Sequence, residues 1–385
     1  MILCKEIVLE SVSTFWAMRL FLFAIIVFCS WGITYKNRGN NYYWYYALPI
    51  IIFYILIQGL RYDRGVDYPH YAEELKDDIY NGTDLTREFL YDVFVITVRN
   101  FKIPFYFAFM FYSGLLISGL MLLVKHFRKY AFWIVPIFYL LTLSASENLI
   151  RQFIAISFIY FAYAYSLDKK TNKMILMLAM IPLIHFSGLF VVAVFLLLRY
   201  VDFTRWIKSP IPFLLFFIIL TLSWNIAGLD RFADILSSNS EVFADTNFAG
   251  YVDNADHWFT EEGELSSEGP SVLKQFTDFI CNTVIIWFGF GVCRRDKRFA
   301  IAYYGSYIAI IIGVIGSSVE LINRMAWWLY PLEPIIIGGM LVPEKKYTIK
   351  DWLLIGIFVL SYYVRFFMQV GKPGLFGCAF VWDIV

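Results

Sequence analysis

Charged side chains are scarce, making up 16% of 385 residues, and they fall in short clusters between long apolar runs. The net charge of +1 offers no electrostatic reason to expect a nucleic-acid partner. Cysteine is sparse too: Cys4, Cys29, Cys281, Cys293 and Cys378 show neither a CxxC pair nor metal-ligand spacing, so they read as core residues and no metal site is expected from them. No internal repeat or low-complexity tract is evident. The first apolar run lacks a small-residue cleavage site and continues to spanning length, so it reads as a membrane span rather than a cleavable signal.

What the chain has instead is apolar surface. Hydrophobic residues reach 60% and aromatics 20%, with a mean hydropathy of +0.63. Ordinary soluble domains hold roughly 45–50% apolar residues. The excess predicts an all-α, polytopic integral membrane protein, a single transmembrane domain over 1–385 with lipid as its solvent. Candidate spans are 14–35, 42–60, 104–124, 130–146, 150–167, 174–184, 186–198, 210–227, 272–293, 299–318, 325–341 and 351–368. Tyr42, Trp44, Trp327 and Trp328, at segment ends, are expected as headgroup anchors.

Two of these spans, 174–184 and 186–198, are each too short for a ~30 Å hydrocarbon core, which needs about 20 residues. They form either one tilted helix or a hairpin. Charge decides. Clusters at Lys36 and Arg38, Lys125–Lys129, Lys169–Lys173, Arg199–Lys208, Arg294–Arg298 and Lys345–Lys350 hold more than half of the 32 lysines and arginines, with few acids among them: Asp168, Asp202, Asp296, Glu344 and, alongside, Asp351. All six clusters fall on the cytoplasmic side only if the chain reverses near His185. Both termini then lie outside, with 61–103, 143–150, 228–270 and 369–385. Within 61–103 the helix formers from Tyr71 to Ile79 predict an amphipathic helix lying on the membrane. The acidic segment 228–270 reads as a solvated loop, or as a saccharide platform through Phe243, Phe248, Tyr251, Trp258 and Phe259. Around Asp253, Asn254, Asp256 and His257 the spacing does not match a twelve-residue calcium loop.

Ionisable groups at membrane depth are costly and face a cavity or a partner. Arg61–Tyr71 gathers Arg61, Asp63, Arg64 and Asp67 around Gly65, which permits a tight turn. Arg151 opens a span, an unfavourable place for a cation unless an anion binds there. The alternative is an ion pair with Glu147 at i, i+4. His185 and Ser187 occupy the reversal, where His185 reads equally as a packing residue. Asn323, Arg324 and Tyr330 precede a stretch in which Pro331 and Pro334 bracket Glu333 and predict a broken helix. Arg365 reads as a snorkelling residue. Arg61, Arg64, Arg151 and Arg324 are expected at one depth on one face. Arginine forks suit phosphate oxygens, so together they suggest a diphosphate site.

These residues resemble bacterial polysaccharide polymerases of the Wzy type, in particular the EpsG-like branch. The resemblance rests on Arg61 and Tyr62 with Gly65, Asp67 and Tyr68; on Arg151, Gln152 and Ala155; on His185 and Ser187; and on Arg324, in order from about 40 to 335. Arg64, where an apolar residue is usual, and the segment 228–270 depart from the pattern. The resemblance implies transfer of a glycan from a polyprenyl diphosphate carrier to the terminal sugar of a second lipid-linked repeat, on the non-cytoplasmic face of the bacterial cytoplasmic membrane. It implies no metal and no cofactor, and a chain-length regulator and a flippase as pathway partners. His185 or Asp67 would be the base, with Glu147 a weaker third; Arg61, Arg64, Arg151 and Arg324 would face diphosphate; Tyr68, Gln152, Asn323 and Tyr330 would position substrate. A glycan ligase using the same donor and a flippase or other transporter are the alternatives, the latter favouring inverted repeats that are not seen here.

Overall fold

The computed structural model describes residues 3–36, 40–65, 67–76, 88–223, 272–316, 320–342, 346–370 and 379–381. The acidic segment expected over 228–270 lies outside them. The described residues are almost wholly helical, and six helical stretches are long and apolar enough to cross a membrane. The protein is a multi-pass membrane protein. It divides into two compact units, one of residues 1–196 and 337–385 and the other of residues 197–336.

The first unit opens with α1 (Leu3–Tyr35) and α2 (Asn40–Gly59). A two-residue strand β1 (Arg61–Tyr62) and two short helices follow, α3 (Tyr68–Lys76) and α4 (Phe89–Asn100). Helix α3 is the expected amphipathic element, beginning at Tyr68 instead of Tyr71, with Tyr68, Tyr71, Ala72 and Leu75 buried. Helix α4 was not legible in the hydropathy pattern of 61–103.

Helices α5 (Phe105–Val124), α6 (Ala131–Asn148) and α7 (Ile150–Leu167) come next. Phe127, with non-helical backbone in the 3-10 turn Lys125–Tyr130, separates α5 from α6. Helix α7 is the centre of the unit, 78% of its span being buried against 39% for the spans of α1 and α2. Gly119 of α5 lets it approach closely, since a methyl there would stand 2.7 Å from the Ser157 carbonyl oxygen. The unit closes with α8 (Thr171–Ile184) and α9 (Leu189–Tyr200), whose last residues pass into the second unit, and with α15 (Ile349–Val370), which packs on α6.

At 14 residues α8 is about 21 Å long, short of a ~30 Å core. The chain turns at its end: His185 is extended (φ −150°, ψ 110°) and a 3-10 turn, Phe186–Gly188, leads into α9. Phe195 on α9 reaches back to Tyr163, near the end of α7 opposite Arg151. The two short helices are therefore a hairpin with His185 at its tip.

Basic clusters of this unit gather at the other end. Phe132 N–H donates to Thr34 Oγ1, Lys125 lies over Trp44, and His126 pairs with Asp168, which also holds Lys170. Strand β2 (Ala379–Phe380) pairs antiparallel with β1, and Val381 N–H donates to Leu60 O, so residues 379–381 lie at the end carrying Arg61.

The second unit holds α10 (Ile211–Ser223), α11 (Val272–Arg295), α12 (Ala300–Ile315), α13 (Glu320–Ala326) and the start of α14 (Glu333–Leu341). Its two basic loops share an end: Lys297 pairs with Asp202, and Arg294 donates to Lys208 O at 3.0 Å. The break expected at Pro331 and Pro334 is present as a 3-10 turn, Tyr330–Leu332. Trp328 is 1% exposed and packs inside this unit, not at its surface as a headgroup anchor would. Cys29, Cys281 and Cys293 are buried free thiols.

Candidate functional site

Glu147, on the last turn of α6, is 3% exposed. A buried carboxylate must be paired to remain ionised, and this one has two arginine partners. Arg19 Nη2 donates to Oε1, and Arg64 Nε donates to Oε2 at 3.1 Å. Arg19 also donates to the side chain of Gln58 on α2. Arg19 and Arg64 both stand over Phe15, each with its guanidinium carbon 4.7 Å from the ring centroid.

Arg61 donates to Gln58 O at 2.5 Å and lies over the Tyr68 and Phe109 rings, which stack at 4.5 Å. Tyr68 closes the turn by donating to Arg61 O at 2.9 Å. Two guanidinium groups thus pair with one carboxylate and a third, Arg61, stands within reach of its charge, leaving an excess of positive charge in a desolvated place. Arg61 Nε has no hydrogen-bond partner among the described residues. It borders a cavity of about 20 Å³ lined by Tyr54, Gln58, Tyr112, Ser113 and Ser146, room for about one water and too small for a phosphate.

Gly65 is what lets the Arg61–Asp67 turn dock on α6. Its φ is +110°, and a methyl there would overlap the Glu147 carbonyl oxygen. The neighbouring Asp67 N–H donates to Asn148 Oδ1 at 3.3 Å. Gly65→Ala should lower the stability of the purified protein by on the order of 2 kcal/mol, read from thermal unfolding in detergent. An unchanged transition would refute the close docking.

A second, more open cluster forms around Glu88, the residue before α4. Arg151 Nη1 donates to Glu88 Oε2 at 2.9 Å and Arg151 Nε to the Tyr71 hydroxyl at 3.0 Å, with the guanidinium over the Tyr71 and Tyr91 rings. Glu88 Oε1 lies 2.7 Å from His185 Nδ1 and accepts the Phe186 N–H at 3.0 Å. Arg151 and His185 are therefore brought to the same carboxylate across 34 residues of chain, because α8 runs back along α7. The i, i+4 pair of Arg151 with Glu147 does not form; each takes a different partner.

Burial acts to raise the Glu88 carboxyl, but His185, the Phe186 N–H and Arg151 outweigh it and hold it below its ordinary value. A depressed folded-state value stabilises above the unfolded value and is lost as pH falls through the folded one. Protection of the amides of α4 and of Phe186, taken relative to intrinsic exchange at each pH, should accordingly fall below about pH 4 and be flat between pH 6 and 8. Equal protection at both extremes would refute the carboxylate anchor.

Sequence reading brought out Arg61, Arg64, Asp67, Tyr68, Glu147, Gln152, Arg151 and His185, and all of them lie at this end of the first unit. Gln152 is buried beside Arg151. Asn323 and Arg324 on α13 and Tyr330 belong to the second unit; they are half-buried, and Tyr330 packs against Trp327. The side chain of Arg365 is not among those described. Arg19, Gln58 and Glu88 were missed. Arg19 did carry a signal, being an ionisable residue inside the first apolar span.

A multi-helix membrane core with a cationic site at one end, built from buried arginines and a histidine held by a carboxylate, is the class that fold and site define. Within that class the chain belongs to the EpsG family, which matches residues 43–378. No curated protein and no solved structure matches it.

Proposed function

We propose that the protein is a polysaccharide polymerase that joins oligosaccharide repeats carried on polyprenyl diphosphate, at the non-cytoplasmic face of a bacterial cytoplasmic membrane. Membership of the EpsG family supports a polymerising, glycosyltransferase-like activity in general. The observation that carries the finer reading is Arg151: its side chain is 32% exposed at the end where Arg19 and Arg64 share a single carboxylate and Arg61 is buried nearby. An accessible fork backed by buried positive charge suits a diphosphate.

Diphosphate is already a competent leaving group. The protein has to neutralise charge developing on it and to align an acceptor hydroxyl with the anomeric carbon. Arg151 meets the donor diphosphate, with Arg61 and Arg64 supplying field from behind. Tyr68 and Gln152 position the substrates, and His185 or Asp67 takes the acceptor proton. The basic loops, at the other end of the first unit, support an outside position for the arginine site by the positive-inside rule.

The test is a ladder. Purified protein in detergent, given its cognate lipid-linked repeat, should yield products growing by one repeat at a time. Folded protein that yields no ladder would remove this reading, and transfer of a finished chain to a different acceptor would replace it with a ligase.

A further inference from the structure

Glu88 belongs to none of the motifs used in the proposed reaction, yet it is the point on which the open half of the site converges. Its carboxylate is held from three directions: by the Phe186 N–H at the tip of the hairpin, by His185 Nδ1, and by Arg151 at the start of α7. Its side chain is 16% exposed, so these contacts are partly shielded from water. An ionised carboxylate can only accept, so at 2.7 Å the shared proton sits on Nδ1. In a neutral imidazole that places the lone pair on Nε2.

We propose that Glu88 is a positioning residue that makes His185 the general base: it holds the ring as the Nδ1–H tautomer, turns Nε2 toward the acceptor hydroxyl, and stabilises the imidazolium that forms. The inference rests on the polymerase reading and chooses His185 over Asp67. Imidazole is better matched to neutral pH than a carboxylate, and His185 has the orienting partner that a base requires.

In the step, the acceptor hydroxyl proton passes to His185 Nε2 as its oxygen bonds to the donor's anomeric carbon. The bond from that carbon to the diphosphate oxygen breaks, and its electron pair leaves with the lipid diphosphate, facing Arg151. The imidazolium returns its proton to water or to the released diphosphate. Glu88 remains ionised throughout, and because its other oxygen holds Arg151, one carboxylate sets the spacing between the group that takes the proton and the group that meets the leaving charge.

The groups facing this pair are Arg151 of α7, Tyr71 and Glu74 of α3, and Tyr91 of α4, whose hydroxyl donates to Glu74. Glu88→Gln leaves them in place and removes the charge beside the ring. Ladder formation should slow by about 10²-fold, and Glu88→Asp should recover part of the rate.

Nitrogen-15 histidine spectra give a readout independent of activity, with His185 assigned by its loss in His185→Ala. The wild-type ring should be the Nδ1–H tautomer and Glu88→Gln a mixture. A wild-type Nε2–H tautomer would overturn the inference. A ladder rate and a tautomer both unmoved in Glu88→Gln would overturn the role of Glu88 alone. No ladder from folded wild-type protein would overturn the polymerase reading, and the base role with it, while the spectra still report the pair.

Discussion

Replacing Glu147 by alanine should cost the first unit about 3–5 kcal/mol, because it strands buried arginines without their counter-charge. Arg19 is fully buried and Arg64 is 2% exposed, so neither can recover its lost partner from bulk water. The three helices that meet there, α1 through Arg19, α2 through Gln58 and α6 through Glu147, are joined by this network. The expected result is a much lower thermal transition in detergent and faster proteolysis of the segment after α2. Glu147→Gln keeps the shape and some acceptor capacity but not the charge, so it should fall between the two. A transition unchanged in Glu147→Ala would mean that the arginines are solvated in the membrane and that the network is not what binds these helices.

Arg151→Ala should leave the fold and membrane insertion intact and abolish long-chain product. Its side chain is one-third exposed, and its ionic partner Glu88 is only partly buried, although Tyr71, which it also holds, is buried. Removing a donor that meets developing negative charge costs about 10²–10³-fold in rate, enough to reduce a ladder to its first rungs. Arg151→Lys should also be damaging. A lysine is a point charge and cannot hold the Tyr71 hydroxyl and the Glu88 carboxylate while presenting a fork to phosphate. Wild-type chain lengths in Arg151→Ala would sink the assignment, and full activity in Arg151→Lys would reduce Arg151 to a simple ion pair.

The two variants separate the halves of the site. Glu147 lies in a network with no room for a ligand larger than water, and its loss should read as instability. Arg151 lies in the open cluster, and its loss should read as lost product from folded protein. Were both to read as instability, the open cluster would be structural as well.

Much of the membrane architecture was legible because hydropathy and length are local properties. Helices α1, α2, α5, α6 and α7 fall close to the apolar runs that announce them. The hairpin at His185 was also legible, from two facts that agree: segments too short to cross alone, and basic clusters that share a side only if the chain reverses between them. Helix α4 was not, because a short helix on the membrane surface needs neither an apolar run nor a cap that can be recognised; its N-cap residue, Glu88, makes no side-chain capping bond and reaches across to His185 and Arg151 instead.

The chemistry-bearing residues were visible by type, as charges at the ends of apolar spans, and their partners were not. Glu147 and Arg151 stand at the spacing of a helical ion pair, yet α6 ends at Asn148 and Leu149 breaks the helix between them, so the spacing has no single helix to act through. Glu147 instead meets Arg19, distant in the chain, and Arg64 in the turn that Gly65 permits. Amino-acid order by itself determined that this protein lives in a bilayer, where its helices run and which residues had to find partners, since each of those follows from what water and lipid tolerate. Only the tertiary structure decided which partner each found. In a membrane a charge is satisfied by whatever helix end packs beside it, and that neighbour is set by packing in three dimensions, not by distance along the chain.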